Sequence, residues 1–278
     1  MTNLNRKISF AKMQGAGNDF IALDNRSLNL SKDELIELAP QICDRNFGVG
    51  ADGIIILLSP EQDDVDYTMF YRNADGSDAG MCGNGARCMA LFAQAHGFSK
   101  QQHFNVHNQV YEAILEGPNT VRITFPMQAS IKKTELHNRP HYFLHTGTEH
   151  LVTTVDENSL KDEDTLKKEG SELRYDAQFQ PAGTNVNFIS GLDECSLKLQ
   201  TYERGVEDLT FACGTGAIAS ALVWHHLQKE KPSGCKYEVE TKGGSLFVYF
   251  SFDPETKTYS NIKLEGPAHF VFKGEYSF

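Results

Sequence analysis

Met81-Cys-Gly-Asn-Gly-Ala-Arg-Cys-Met-Ala-Leu-Phe92 aligns without a gap on Ala212-Cys-Gly-Thr-Gly-Ala-Ile-Ala-Ser-Ala-Leu-Val223. The cysteine, both glycines, both alanines and the leucine coincide, and upstream Tyr71 falls opposite Tyr202 in the same register. Each copy leads into an apolar, helix-forming run. One is Ala86 to His96, stopped by the natural cap Gly97, and the other is Ala217 to Gln228. Around them lie β-rich segments: Val65 to Tyr71, Thr120 to Phe125, Ser196 to Tyr202 and Ser245 to Phe252. Several of these alternate apolar and polar residues, the period of a half-buried strand. Each half therefore reads strand, loop, Cys-Gly-x-Gly, apolar helix. The simplest architecture is an α/β (α+β) chain of two pseudo-symmetric domains, each a helix packed against a strongly bent sheet. Their break is expected near Pro126 to Ser130. A further helix opens at the capping box Ser31-Lys-Asp-Glu34 and runs to about Cys43. Asp156 to Glu172 is charged throughout and reads as a solvated helix plus loop.

The chain has 278 residues, with 26 Lys+Arg against 37 Asp+Glu and a formal net charge of −11. So acidic a chain is a poor partner for nucleic acid or an anionic membrane, since both are polyanions. The first residues carry no apolar run of signal-peptide length, and the longest apolar stretch, Ile54 to Leu58, is far too short to span a bilayer. The cytoplasm is the expected compartment. There the six cysteines, Cys43, Cys82, Cys88, Cys195, Cys213 and Cys235, are expected as thiols. Cys43, Cys88, Cys195 and Cys235 read as core or incidental residues.

A cysteine just before a helix sits at the positive end of the helix dipole, which favours the thiolate. The two glycines keep side chains away, and the N–H groups of the first turn are ready for an anion. Two such turns facing one cleft would flank a bound carboxylate with two thiols. That geometry suits removal of an α-proton from one face of an amino acid and its return on the other. It needs one thiolate and one thiol, in a dry site. Two nearby thiolates repel, so the second proton is harder to lose than the first.

Lys12-Met-Gln-Gly-Ala-Gly-Asn-Asp-Phe20, Asn73-Ala-Asp-Gly-Ser77, Gly183-Thr-Asn185, Tyr202-Glu-Arg-Gly205 and the two Cys-Gly-x-Gly turns together resemble the diaminopimelate epimerase family, in order and spacing from about Lys12 to Gly266. The resemblance implies a cofactor-independent isomerase that converts LL- to meso-diaminopimelate for lysine and cell-wall precursor synthesis. It also implies a homodimer, and bent, mostly antiparallel sheets each wrapped around a central helix. The first domain would take residues 1–127 and 265–278, and the second residues 128–264. By the same resemblance Cys82 and Cys213 are the acid/base pair. Gly83, Asn84, Gly214 and Thr215 hold the α-carboxylate. Asn18, Asn73, Asn185 and Arg204 bind substrate, chiefly its distal end, and Glu203 lies near the reacting centre. His150 assists by setting thiol protonation. The family's Gly-Asn-Pro-His stands here as Gly147-Thr-Glu-His150, so Thr148 and Glu149 depart from the pattern near the distal-end contacts.

Blander readings attach to the same residues. Asn18 and Asn73 are good turn residues, His150 alone reads as a satisfied histidine, and Glu203-Arg204 suits a strand-end salt bridge. Gly48-Val-Gly-Ala-Asp-Gly53 satisfies G-x-G-x-x-G but precedes a strand instead of following one, so it is no dinucleotide site. No C-x₂-C pair suggests zinc. Competing functions are a same-fold racemase for another amino acid, a carboxylate-binding module without turnover, and a redox-sensing thiol pair.

Overall fold

A computed structural model of the protein describes residues 6–78, 80–231 and 236–278. Two units carry the chain: Met1–Ile123 with Gly266–Phe278, and Thr124–Glu265. In the first, the hairpin Lys7–Gly15/Asn18–Asp24 is followed by helix α1 (Lys32–Ile42), which crosses to a parallel strand, Gly53–Leu58. That strand pairs antiparallel with Tyr67–Asn73. Helix α2 (Gly83–Ala95) then crosses to the parallel strand Gln101–Val106, which closes a hairpin with Gln109–Leu115. The C-terminal strand His269–Ser277 pairs antiparallel with Lys7–Gly15.

The second unit repeats this order. The hairpin Arg139–His145/Glu149–Thr154 leads through helix α3 (Glu163–Arg174) to the parallel strand Asn185–Gly191 and its antiparallel partner Ser196–Glu203. Helix α4 (Gly214–Leu227) crosses to the parallel strand Tyr237–Thr241, which forms a hairpin with Gly244–Asp253. The duplication read from one dodecapeptide thus extends to the whole topology: hairpin, helix, hairpin, helix, hairpin.

The two Cys-led helices are the centres of their units. Every residue of α2 from Gly83 to Ala93 is buried, and α4 is buried from Gly214 to Val223. A helix that is apolar all round must be surrounded by its own fold. Strands contact α2 and α4 from several sides, whereas α3 keeps only Leu166, Gly170 and Leu173 buried, as expected of the charged Asp156 to Glu172 stretch. Helix α1 carries the expected capping box, with Ser31 Oγ accepting from Glu34 N and the Glu34 carboxylate accepting from Ser31 N.

The structure corrects two readings. The ladders pair Ile55 with Tyr71 and Asn187 with Thr201, so the structural counterpart of Tyr71 is Thr201 and not Tyr202. The loop between strand and cysteine is one residue longer in the second unit, and a gapless alignment cannot see that. Cys195 is disulfide-bonded, so it is not a thiol; a cysteine count over a long chain does not resolve a single pairing. Cys235 lies outside the described residues. Cys43 and Cys88 are buried and free, and burial pushes both thiols up to about 12.

Candidate functional site

Cys82 is the N-cap of α2, with φ −106° and ψ 113°, and Cys213 is the N-cap of α4, with φ −109° and ψ 115°. Each sulfur accepts the N–H of the second glycine, Gly85 or Gly216, at 3.4 Å. The glycines lie inside the first helical turn, so both helices start three residues earlier than their apolar runs suggest. A sulfur in place of the usual capping oxygen puts a titratable group where the helix dipole favours its anion.

Around Cys82 the partners are charged or amide groups. Asn18 Oδ1 lies 3.7 Å from the sulfur and also accepts from Asn84 Nδ2 at 3.5 Å. The Asn18 amide is oriented by Asp52, which accepts its Nδ2 at 2.5 Å. Asp52 and Asp19 are both held by Arg45 at 2.8 Å, and Asp19 is also paired with Lys12 at 2.6 Å. Burial raises the Asp19 carboxyl, but hydrogen bonds from Arg45 and Lys12 outweigh it and bring the pKa to about 2. Asp52 sits in the Gly48 to Gly53 segment, which follows α1 and opens a strand, consistent with its exclusion as a dinucleotide turn. Arg87, on α2 itself, is fully buried. It donates to Gly83 O, Pro267 O and Asn84 Oδ1, all neutral oxygens, and burial lowers its pKa to about 10. Asn73 ends its strand and uses its amide locally, donating to Ser77 Oγ and accepting from Tyr71 OH.

Beside Cys213 lies a chain of neutral side chains. Thr215 Oγ1 lies 3.5 Å from the sulfur and 2.9 Å from His150 Nε2. Thr148 Oγ1 is 3.0 Å from the same His150 nitrogen, and Thr146 Oγ1 donates to Thr215 O. Asn187 Nδ2 approaches His150 Nδ1 at 3.0 Å. His150 is wholly buried, and desolvation, then the His145 and Arg204 charges, push its pKa down to about 3, so it is neutral at neutral pH. Asn185 spends its amide within the unit, donating to Thr148 Oγ1 and Glu149 O and accepting from Arg204 N. Arg204 does not pair with Glu203. Its guanidinium binds Glu149 at 2.8 Å, one of the two residues that depart from the family pattern. Glu203 ends the strand just before it.

Sequence reasoning thus named Cys82, Gly83, Asn84, Asn18 and Asn73 in one unit, and Cys213, Gly214, Thr215, His150, Asn185, Glu203 and Arg204 in the other. It missed Asp52, Arg87, Asn187 and Thr201. A lone Arg inside an apolar helix and two Asn spaced i, i+2 on an otherwise buried strand were the available signals.

The strand-rich α/β fold of this chain is shared by several solved structures. A PhzF-family phenazine biosynthesis protein from Bacillus anthracis matches with TM-score 0.74 at 14% identity, covering 98% of this chain and 99% of that one. A hydroxyproline epimerase from Agrobacterium vitis matches with TM-score 0.68 at 13% identity, covering 100% and 94%. At such identities the likeness is one of fold. Sequence goes further: the family profile described as diaminopimelate epimerase matches residues 10–110 and 142–270. Diaminopimelate epimerases of Flavobacterium psychrophilum and Chlorobaculum tepidum are 36% and 37% identical, each over 94% of this chain and 97% and 98% of theirs. The chain belongs to the diaminopimelate epimerase family, a family of isomerases.

Proposed function

We propose that this protein converts LL-2,6-diaminopimelate to the meso isomer with Cys82 and Cys213 as its acid/base pair and without a cofactor. The observation that carries the reading is the duplicated cap: two sulfurs with the same backbone angles, each at the N-terminus of a buried helix. Family membership supplies the substrate. In one direction the thiolate takes the α-proton and becomes S–H. The C–H electron pair stays on the α-carbon as a carbanion. The other thiol then gives its proton to the opposite face and is left as thiolate; reversal exchanges the roles. One carbon must be reached by both sulfurs, one from each unit. The helix N-termini at Gly83, Asn84, Gly214 and Thr215 receive the α-carboxylate, and buried Arg87 adds positive charge behind the first of them.

Asn18, Asn73, Asn185 and Arg204 serve chiefly the distal end of the substrate in this reading, and Glu203 stands near the reacting centre. The protein acts on a free amino acid in the cytoplasm, as a homodimer, in lysine synthesis; no nucleic acid or membrane is involved. Among the described residues no helix is long and apolar enough to cross a membrane. A second reading, an epimerase for an amino acid without a distal amino-acid end, is favoured by Glu149, which occupies the Arg204 guanidinium.

The test is solvent exchange. Reduced protein without added cofactor is incubated with LL-diaminopimelate in deuterium oxide. Deuterium at one α-carbon with appearance of the meso isomer is expected. No exchange would overturn the proposal, and faster exchange on an amino acid lacking the distal end would transfer it to the second reading.

A further inference from the structure

The two units provide an internal control for the residues around each sulfur. The first pairs of the equivalent parallel ladders are Phe20 with Gly53 and His150 with Asn185; two residues on, Ile55 stands where Asn187 stands. Their antiparallel partners are Tyr71 and Thr201. A Cβ built at Gly85 would meet Ile55, Met69 and Phe20, and one built at Gly216 would meet Asn187 Oδ1. Where the first unit packs apolar side chains under its Cys-capped turn, the second therefore buries His150 and Asn187, both at 0% exposure. The same backbone is built without them, so the fold does not require the polar cluster. Buried polar groups are costly unless each is paired.

Here each is paired, and the pairing fixes the protons. Asn187 Oδ1 accepts from Thr201 Oγ1 at 3.0 Å, and its Nδ2 donates to Leu151 O at 3.1 Å. A carbonyl can only accept, so the amide orientation is set. The second Nδ2 hydrogen then points at His150 Nδ1, which must be the acceptor of the neutral ring. The ring proton is left on Nε2, 2.9 Å from Thr215 Oγ1 and 3.0 Å from Thr148 Oγ1. Thr148 Oγ1 already accepts from Asn185 Nδ2 and faces Nε2–H, so its own hydrogen can go to Thr215 Oγ1 at 3.5 Å, and the Thr215 hydrogen is left for Cys213 Sγ at 3.5 Å. A donor at sulfur favours the thiolate.

We infer that Asn187 is a positioning residue: it fixes the Nε2–H tautomer of His150, which turns the Thr215 hydroxyl hydrogen onto Cys213 Sγ and favours the thiolate there. The inference rests on the reading of Cys213 as an acid/base thiol. Of the titratable groups on the strands packed against α4, His145 acts on His150 as does Arg204 beyond the strand end, and Glu149 and Glu203 stand at strand ends; Arg139, His141, Tyr142, Lys198, Tyr202, Tyr249 and Asp253 lie on those strands as well. Asn185–Gly191 brings none, and alternation with the buried Tyr237 and Val239 turns Glu238 and Glu240 away from the helix.

The test uses the full chain. Nitrogen NMR of the His150 ring should show the proton on Nε2 in the parent protein. Asn187→Asp puts an acceptor against Nδ1, so the proton should move to that nitrogen. Nε2 then takes the Thr215 hydrogen, and Cys213 loses its donor. The pH profile of iodoacetamide alkylation, read for each cysteine by peptide mass spectrometry, should move up by about one unit for Cys213, roughly tenfold slower below the inflection, and stay put for Cys82. Thr201→Val, which only loosens Asn187, should give a smaller shift of the same sign. A proton on Nδ1 in the parent, or an unmoved Cys213 profile in folded Asn187→Asp, would overturn the inference. Should both variants fail to fold, the parent tautomer decides it alone. Absence of α-hydrogen exchange in the parent would remove the proposed function and leave the tautomer result intact.

Discussion

Alanine at the second glycine of each Cys-Gly-x-Gly turn should have unequal consequences in the two units. Both glycines lie in a helical first turn, where alanine gains about 0.5–1 kcal/mol through backbone entropy. What the new methyl meets differs. At Gly85 the nearest atoms are side-chain ends of Ile55, Met69 and Phe20, at 3.3, 3.4 and 3.4 Å. Those groups can yield by a few tenths of an ångström. At Gly216 the methyl would lie 2.5 Å from Asn187 Oδ1 and 3.2 Å from Cys213 Cβ. Asn187 cannot retreat without breaking its bonds to Thr201, Leu151 or His150. Overpacking of this kind costs about 1–3 kcal/mol. Net of the helical gain, Gly216→Ala should lose about 1–2 kcal/mol, and Gly85→Ala should stay within about 1 kcal/mol of the parent. At roughly 2–4 °C per kcal/mol for chains of such size, the first melts about 2–8 °C lower and the second is little moved. Thermal melts of the two variants side by side are the assay. Equal losses, or a larger loss at Gly85, would refute the claim that the polar cluster is rigid and the apolar one compliant.

Cys82→Ala and Cys213→Ala should each cut α-hydrogen exchange on diaminopimelate by about 10²–10⁴-fold, the range for a general acid or base; a variant retaining parental exchange would remove that sulfur from the mechanism. Stability should fall as pH drops from about 6.5 towards 3, because the unfolded chain protonates a histidine of ordinary pKa 6.5 whereas His150 in the fold resists until about 3. Asp19, held at about 2, adds a loss of the same sign below its ordinary 3.8, and urea midpoints flat from pH 7 to 4 would contradict the His150 assignment. Glu149→Gln frees Arg204 from its part-exposed ion pair and should lower KM for diaminopimelate roughly two- to fivefold with kcat little changed. A raised KM would show that Glu149 serves the substrate instead of competing with it.

The fold was legible because its deciding signal is local and doubled. A cysteine, two glycines and an alanine-rich run specify a capped, buried helix, and one repeat predicts two. The apolar runs placed the helix bodies well and their starts late, since Gly83 to Gly85 and Gly214 to Gly216 have no helical propensity to read and become helical only through the sulfur cap. The site was legible where it is made of motif residues and illegible where strand pairing makes it. Thr201 and Asn187 meet across a ladder, and Asn187 meets His150 through a parallel strand that α3 separates in sequence. Both Asn residues of Asn185–Gly191 lie in a strand buried on both faces, where alternation carries no signal. Asp52 was hidden in a glycine-rich stretch that was properly set aside as a nucleotide motif, yet it orients Asn18.

Duplication of the backbone does not make the two thiols chemical twins. The dipole and the glycine N–H act on both sulfurs alike, so any difference in their titration must come from side chains. At Cys213 the nearby hydroxyl is a donor, supplied by a neutral chain through His150 and Asn187. At Cys82 the Asn18 carbonyl oxygen is an acceptor, turned towards the sulfur because Asn18 Nδ2 donates to Asp52, and an acceptor favours S–H. Arg87 pulls the other way, as a buried cation one turn along the same helix. Its three hydrogen bonds run to Gly83 O, Pro267 O and Asn84 Oδ1, and it acts on the sulfur through charge. The contacts named at Cys213 are hydrogen bonds, and those named at Cys82 set a hydrogen bond against a charge. Arg87 is fully buried, so added salt screens its charge little, and the Cys82 alkylation profile should move with salt no more than that of Cys213; a clearly larger shift at Cys82 would show that an exposed charge governs it instead.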